Sequence, residues 1–386
     1  MQYSATKAST SSATSQTDVS SMGYVRDEEF WFKKGDCVVI VENTMLKIHL
    51  SDLERDGSVF ADMFSLPNGD DSPNTTTEAD PLILPDKLHE FRALCWMLYA
   101  SPLELEEQHN PALFKFSTVF HLLSICHKYH FETYEKWAGR LLIKHCAHDK
   151  GKDTYLDNQP FSELENMLRI SVRINLYQFT DAIERSVLRK LQERPSLSVA
   201  NALNLAEELG LRRFQGRLYY HEFTRQPVLR IKSSTAYAFP PGDLTPAQTM
   251  ALLRGSFSLS EYWMNLPSVI QYIKVPQTRS CAKKGNSHAD CQAHWEAYWS
   301  PQSLKQVLTT PSFSFGTFEP GVSRPRHPGP LEGLDTLQDS FRLAPTISVP
   351  FSRLGLSCCR RAISMLIEQL HDTLADHFLG PLTDNE

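Results

Sequence analysis

The run at residues 36–64, DCVVIVENTMLKIHLSDLERDGSVFADMF, decides how this chain of 386 residues is read. Residues 36–42 form a β-branched run typical of a buried strand. Residues 45–49, MLKIH, alternate behind the short polar break Asn43-Thr44, which predicts a hairpin. From Leu50 to Leu66 the spacing turns helical, with Leu50, Leu53, Val59, Phe60, Met63 and Phe64 as the apolar set and Gly57 punctuating it.

Working outward, residues 67–81 are a loop by composition, and LILP at 82–85 is a third short strand. Asp86 is placed to N-cap a helix through Phe91, Leu94, Cys95 and Leu98 that ends at Ser101-Pro102. Further helices are predicted at about 113–128 and 131–146. A small sheet followed by a run of helices is α+β in class. Beyond the polar spacer 152–160 the chain reads as helices over 161–223, broken at Pro195 and Gly210-Leu211. A proline-bearing connector spans 224–248, and a helical stretch follows at 246–254. Residues 301–350 hold eight of the 23 prolines with no sustained periodicity, so an irregular arm is expected there. Cys359, Ile363, Leu366, Ile367, Leu370, Leu374 and Phe378 then share one helical stripe. The expected organisation is a Ser/Thr-rich tail at 1–28, a first domain at 29–148, and a helical domain at 155–300. A Pro-rich segment at 301–356 and an amphipathic docking helix at 357–380 complete it.

With 41% hydrophobic residues the chain can build real cores, which excludes a wholly disordered protein. The absence of any fixed-period repeat argues against a solenoid or propeller. A net charge of −6 argues against a dedicated nucleic-acid binder, because phosphate neutralisation needs concentrated Lys and Arg. The first residues lack the basic start and apolar core of a secretory signal, and no window of about 18 apolar residues reads as membrane-spanning. The eight cysteines, most in apolar stretches, read as reduced thiols. The expectation is a protein of the cytoplasm and/or nucleus, not secreted and with no membrane partner.

The pattern Asp36, Val38, Ile48, His49, Leu53, Ser58, Phe60, Met63, Phe64 resembles the opening of the BTB/POZ domain. The stretch from Leu82 to Asp86 resembles the strand entering that domain's next helix, and Leu123 to Phe131 resembles the helix–turn–helix that closes it. Residues 29–32 and 60–67 are similar to the BTB proteins expanded in mushroom-forming (basidiomycete) fungi. The resemblance covers 30–147 and continues more weakly to about 300, through residues 204–219 and 244–255 and through Cys281, Cys291, Trp295 and Trp299. It implies the BTB/POZ fold, a small mainly antiparallel sheet capped by helices, followed here by an α-helical region. It also implies that Asp36, His49, Phe60, Met63 and Phe64 are structural, fixing the hairpin and the helix start. The function implied is protein–protein interaction, a non-catalytic scaffold in transcriptional or signalling complexes. The alternative is a substrate adaptor docking on a cullin scaffold of a ubiquitin ligase. That docking commonly uses an apolar-x-Glu element, and the corresponding stretch, residues 64–69, has no Glu.

Asp36 and His49 invite an acid–base reading, yet no nucleophile accompanies them. Phe30, Trp31, Phe32, Val38 and Ile40 are candidates for a dimer or partner interface, since the family often pairs two-fold through the segment ahead of the first strand. Packing in the chain's own core is the alternative. Cys281, His288, Cys291 and His294 offer four borderline-soft ligands for a structural zinc, the one cofactor considered, although the spacing matches no standard finger. A loop of unpaired groups is the alternative. A zinc-stabilised nucleic-acid binder would use that cluster with Arg212, Arg213, Arg217, Arg225, Arg230 and Lys232 interleaved with Phe214, Tyr219, Tyr220 and Phe223. Leu211, Phe214 and Leu218, however, sit at helical spacing and read as core. No glycine-rich phosphate loop or nucleophile elbow supports an enzyme.

Overall fold

The computed structural model describes residues 23–66, 76–146, 154–194, 197–225, 243–270, 272–277, 288–298 and 356–381. It divides into two units, Met1–Ile183 and Glu184–Glu386. The α+β class holds, with one four-stranded sheet and many helices.

In the first unit, β2 (Cys37–Val41) and β3 (Thr44–Ile48) pair antiparallel, with Cys37 opposite Ile48 and Val41 opposite Thr44. Glu42 makes the turn at φ 53°, a left-handed conformation that a tight hairpin demands. β4 (Leu82–Leu84) runs parallel to β2, and β1 (Val25–Trp31) runs parallel to β3. The strand order is therefore β1-β3-β2-β4, with two of the three pairings parallel. The expected mainly antiparallel sheet is corrected to a mixed one, because only the hairpin turns back on itself. All five residues of β2 are buried, as its unbroken β-branched run requires.

β1 begins inside the 1–28 segment expected to lack structure, and that boundary is corrected to Val25 for the strand. Its cause is Asp27, which is 3% exposed. The Asp27 carboxylate accepts from the backbone N–H of Glu29 and Phe30 at 3.0 Å and from Arg92 Nε at 2.8 Å. Burial opposes its ionisation, but these hydrogen bonds and the Arg92 charge prevail and hold the acid below its usual range.

The break at Gly57 separates α1 (Leu50–Leu53) from α2 (Val59–Ser65) by a 3-10 turn at Arg55–Gly57. Asp56 sits there at φ 63°, and its carboxylate accepts from the Thr133 N–H and hydroxyl at 2.6 Å each. The strained residue thereby supplies the missing acceptor at the start of a distant helix. α3 (Leu88–Tyr99) is preceded by Lys87 at its N-cap, not by Asp86 as the sequence suggested. The Asp86 carboxylate is claimed instead by Lys128 Nζ at 2.5 Å and by the Tyr129 hydroxyl, two partners no local pattern reveals. α4 (Pro102–Glu107) opens with a Ser101–Glu104 capping box and proline at its first position. α5 (Phe116–Tyr129) and α6 (Glu132–Cys146) form a hairpin that packs with α3.

α7 (Thr154–Asp157) and α8 (Phe161–Arg173) also belong to this unit, and the division falls inside α9 (Tyr177–Glu193). The expected boundary between 148 and 155 is thus corrected to 183. Aromatic contacts explain it: Tyr155 stacks on Phe116 at 5.8 Å between ring centroids, and Phe179 meets Phe120 at 6.3 Å.

In the second unit follow α10 (Ala200–Glu208), α11 (Arg212–Arg225), α12 (Pro246–Ile270), α13 (His288–Tyr298) and α14 (Leu356–Leu379). α12 runs well past the expected end at 254. Its start is fixed by Thr245 and Gln248, each side chain accepting from the other's backbone N–H, with Pro246 at the first position. α14 packs on α11, α12 and α13. Its buried stripe runs through Cys358, Ile363, Leu366, Leu370, Leu374 and Phe378. Cys358 lies on the inner face, whereas the side chain of Cys359, expected on the stripe, lies outside the described residues. So do residues 301–355, which cover the Pro-rich segment. Among the described residues no helix is long and apolar enough to cross a membrane.

Two glycines let these helices approach. A Cβ on Gly216 of α11 would come within 2.7 Å of the Ala375 backbone, and one on Gly255 of α12 would strike the Phe378 ring. Around this contact Arg212 reaches Asp376 at 2.8 Å and Arg213 reaches Asp372 at 3.0 Å.

Two stability outcomes follow from these contacts. Gly216→Ala gains about 1 kcal/mol of helix propensity but overpacks the crossing, which costs about 1–3 kcal/mol. Denaturant unfolding is expected to show net loss; a variant more stable than the parent would refute the close approach. In the first unit, burial pushes His121, ring to ring with His89 at 4.2 Å, down to about 4. The folded chain then binds fewer protons than the unfolded one, whose His titrates near 6.5, so stability is lost as pH falls from 6.5 towards 4. Melting curves of His121→Gln are expected to show a shallower slope over that window than the parent.

Candidate functional site

The candidate interface residues separate into two groups. Phe30, Val38 and Ile40 are 4%, 2% and 2% exposed, so they are spent in the chain's own core and corrected from interface to core. Trp31 and Phe32 are half-buried. Phe32 lies on Tyr99 at 4.6 Å and on His49 at 5.5 Å, closing the end of the hairpin. Trp31 instead carries the Arg26 guanidinium at 4.7 Å and Lys47 Nζ at 5.9 Å from its ring centroid. At the other end of β1 Val25 is 66% exposed, and β1 pairs with β3 on one edge only among the described residues.

The residues that carry the BTB resemblance have these partners. Asp36 Oδ1 accepts from the Leu50 N–H at 2.7 Å, holding the start of α1. His49 does not meet Asp36; its backbone N–H donates to the Tyr99 hydroxyl at 2.9 Å, and its ring faces Asp52 at 3.6 Å. Phe60 is buried and stacks on Tyr129 at 4.5 Å, while Met63 and Phe64 are half-buried beside it along α2. The stretch compared with the cullin-docking element is described only as far as Leu66, which is exposed.

The basic-aromatic run is absorbed by the second unit. Phe214, Tyr219 and Tyr220 are buried, Arg212 and Arg213 meet Asp376 and Asp372, and Arg217 meets Glu184 at 3.1 Å. The Arg225 side chain lies outside the described residues, as do Arg230 and Lys232.

A groove of about 490 Å³ between α12 and α14 contains a pair the sequence did not signal. Ser258 Oγ and His377 Nδ1 lie 2.8 Å apart, 119 positions distant in sequence. Burial pushes His377 down, with Asp376 partly countering. An acyl-transfer site would set a carboxylate on the far ring nitrogen. Asp376 Oδ1 is instead engaged by Arg212.

The metal-ligand candidates are brought together in part. One ring nitrogen of His288 and the sulfurs of Cys291 and Cys358 lie within 4.8 Å of one another. His288 and Cys291 share one face of α13, three residues apart; Cys358 comes from the first turn of α14. Both cysteines are buried, at 3% and 0% exposure. Cys281 lies outside the described residues, as does the His294 side chain. The sequence missed Cys358, although the doublet Cys358-Cys359 at a helix start was its signal. Comparison with protein-family models, with curated proteins and with solved structures finds no match for this chain.

Proposed function

We propose that the protein is a non-catalytic interaction scaffold, and that its first unit is a BTB/POZ-type domain pairing with a second copy along β1. The observation that carries this reading is the position of β1 at the edge of the sheet. Asp27 fixes a backbone turn within it, and Val25 and the Arg26–Trp31–Lys47 stack stand at its surface. An edge strand offers unpaired N–H and C=O groups to a second strand. Val25 and Trp31 add apolar area that is costly to leave in water, at roughly 25 cal/mol per Å². The element order, a strand, a hairpin, two short helices, a fourth strand and then α3 to α6, is compatible with the BTB resemblance. Partners in transcriptional or signalling complexes would then be presented in pairs.

Light scattering on the full chain tests the reading. The expected mass is about twice 43.9 kDa at micromolar concentration, and Trp31→Ala is expected to move it towards the single-chain value. A monomeric mass in both proteins, or a dimer that Trp31→Ala leaves intact, refutes pairing along β1.

A further inference from the structure

The geometry points to a thiophilic metal site in the second unit: a zinc ion held by His288 Nδ1, Cys291 Sγ and Cys358 Sγ. This goes beyond the scaffold reading and does not depend on it. It keeps His288 and Cys291 of the set suggested by sequence spacing and adds Cys358, which comes from a helix far along the chain.

Four observations converge. One ring nitrogen of His288 and the two sulfurs already lie within 4.8 Å of each other, close enough that small side-chain rotations bring the imidazole and both thiols onto one ion. Zn–S bonds are about 2.3 Å and Zn–N bonds about 2.0–2.1 Å in such sites. The His288 ring is oriented as metal-bound imidazoles are, since its Nε2 lies 2.8 Å from the Val275 carbonyl oxygen. A carbonyl only accepts, so Nε2 carries the proton, and Nδ1 is left with its lone pair. Fixing the tautomer through a carbonyl on the far nitrogen is the usual outer support of a metal-bound histidine. Nδ1 is itself buried and has no hydrogen-bond partner, the state a ligand atom has before it takes its ion. Finally, the segment bearing that carbonyl is tied down separately: Gln292 Oε1 accepts from the Val275 N–H at 2.9 Å.

Two thiolates and an imidazole select a borderline-soft ion over magnesium or calcium, which prefer oxygen. Binding uses the imidazole lone pair and releases the two thiol protons, with no change of oxidation state. Three protein ligands leave the fourth tetrahedral position to solvent or a further donor. The ion would join the first turn of α13 to the first turn of α14 and close the long intervening segment, adding to the stability of the second unit.

The test is elemental analysis of the full chain, purified reduced and without chelator or metal-affinity resin. About one zinc per chain is expected. Cys358→Ser and Cys291→Ser are each expected to weaken zinc binding by at least about 10–100-fold, the loss typical of even a supporting residue. Circular dichroism reports whether these variants fold. Because a serine variant could lose zinc by unfolding, Cys358→His supplies the second arm. It is expected to keep the metal, and its cobalt-substituted form should show weaker thiolate-to-cobalt charge transfer than the parent. Cys281→Ser is expected to bind as the parent does. Less than one zinc in ten chains, or a Cys291–Cys358 disulfide in its place, overturns the site. So does zinc retained by Cys358→Ser or lost only in Cys281→Ser.

Discussion

The first unit is organised by the demand that β2 makes on its surroundings. Every side chain of Cys37–Val41 is buried, so the strand requires hydrogen-bonded neighbours on both edges and apolar cover on both faces. The edges are met by β3 and β4. Cover comes in part from α3, whose Cys95 is fully enclosed and held as a neutral thiol by burial. The far end of α3 brings Tyr99 against Phe30 and Phe32, and its hydroxyl accepts from the chain as it leaves the hairpin at His49. One intensely apolar strand thus fixes where a helix much later in the chain must lie.

The polar groups of this unit complete that arrangement at long range. Asp27, Asp56 and Asp86 each spend a carboxylate on residues at least forty positions away: Arg92, Thr133, and the Lys128–Tyr129 pair. Asp27 and Asp86 are buried, so losing a partner would leave a charge without compensation, which is far more destabilising than an exposed pair is stabilising. Asp56 is exposed and acts as a cap, worth about 1 kcal/mol in typical cases. Burial rather than charge separates the three.

Legibility in the sequence tracks this division between local and distant causes. The hairpin, the helix pair around Gly57 and the stripe of the last helix were readable because alternation and helical spacing are local signals. β1 was not, because VRDEEFW reads as polar chain; only Arg92 and the backbone turn around Asp27 make it a strand. Asp86 offered a plausible cap by position, yet partners on α5 claimed it. The unit boundary at 183 was hidden because Tyr155 and Phe179 look like ordinary helix residues until Phe116 and Phe120 are set beside them. The metal-ligand cluster shows the same limit. His288 and Cys291 share a helix face and were found, whereas Cys358 belongs to another helix and was not.

The close seating of α14 on α11 and α12 also has a meaning in time. Gly216 and Gly255 leave room that Ala375 and Phe378 fill, and the fully buried Phe378 ring stacks on Tyr219 at 5.3 Å. Until Ala375 and Phe378 leave the ribosome, α11 and α12 present the apolar faces meant for them to whatever else is near. Domains made early can fold while synthesis continues. The second unit has to wait for α14, and that interval is when it is most open to chaperones, to aggregation and to degradation.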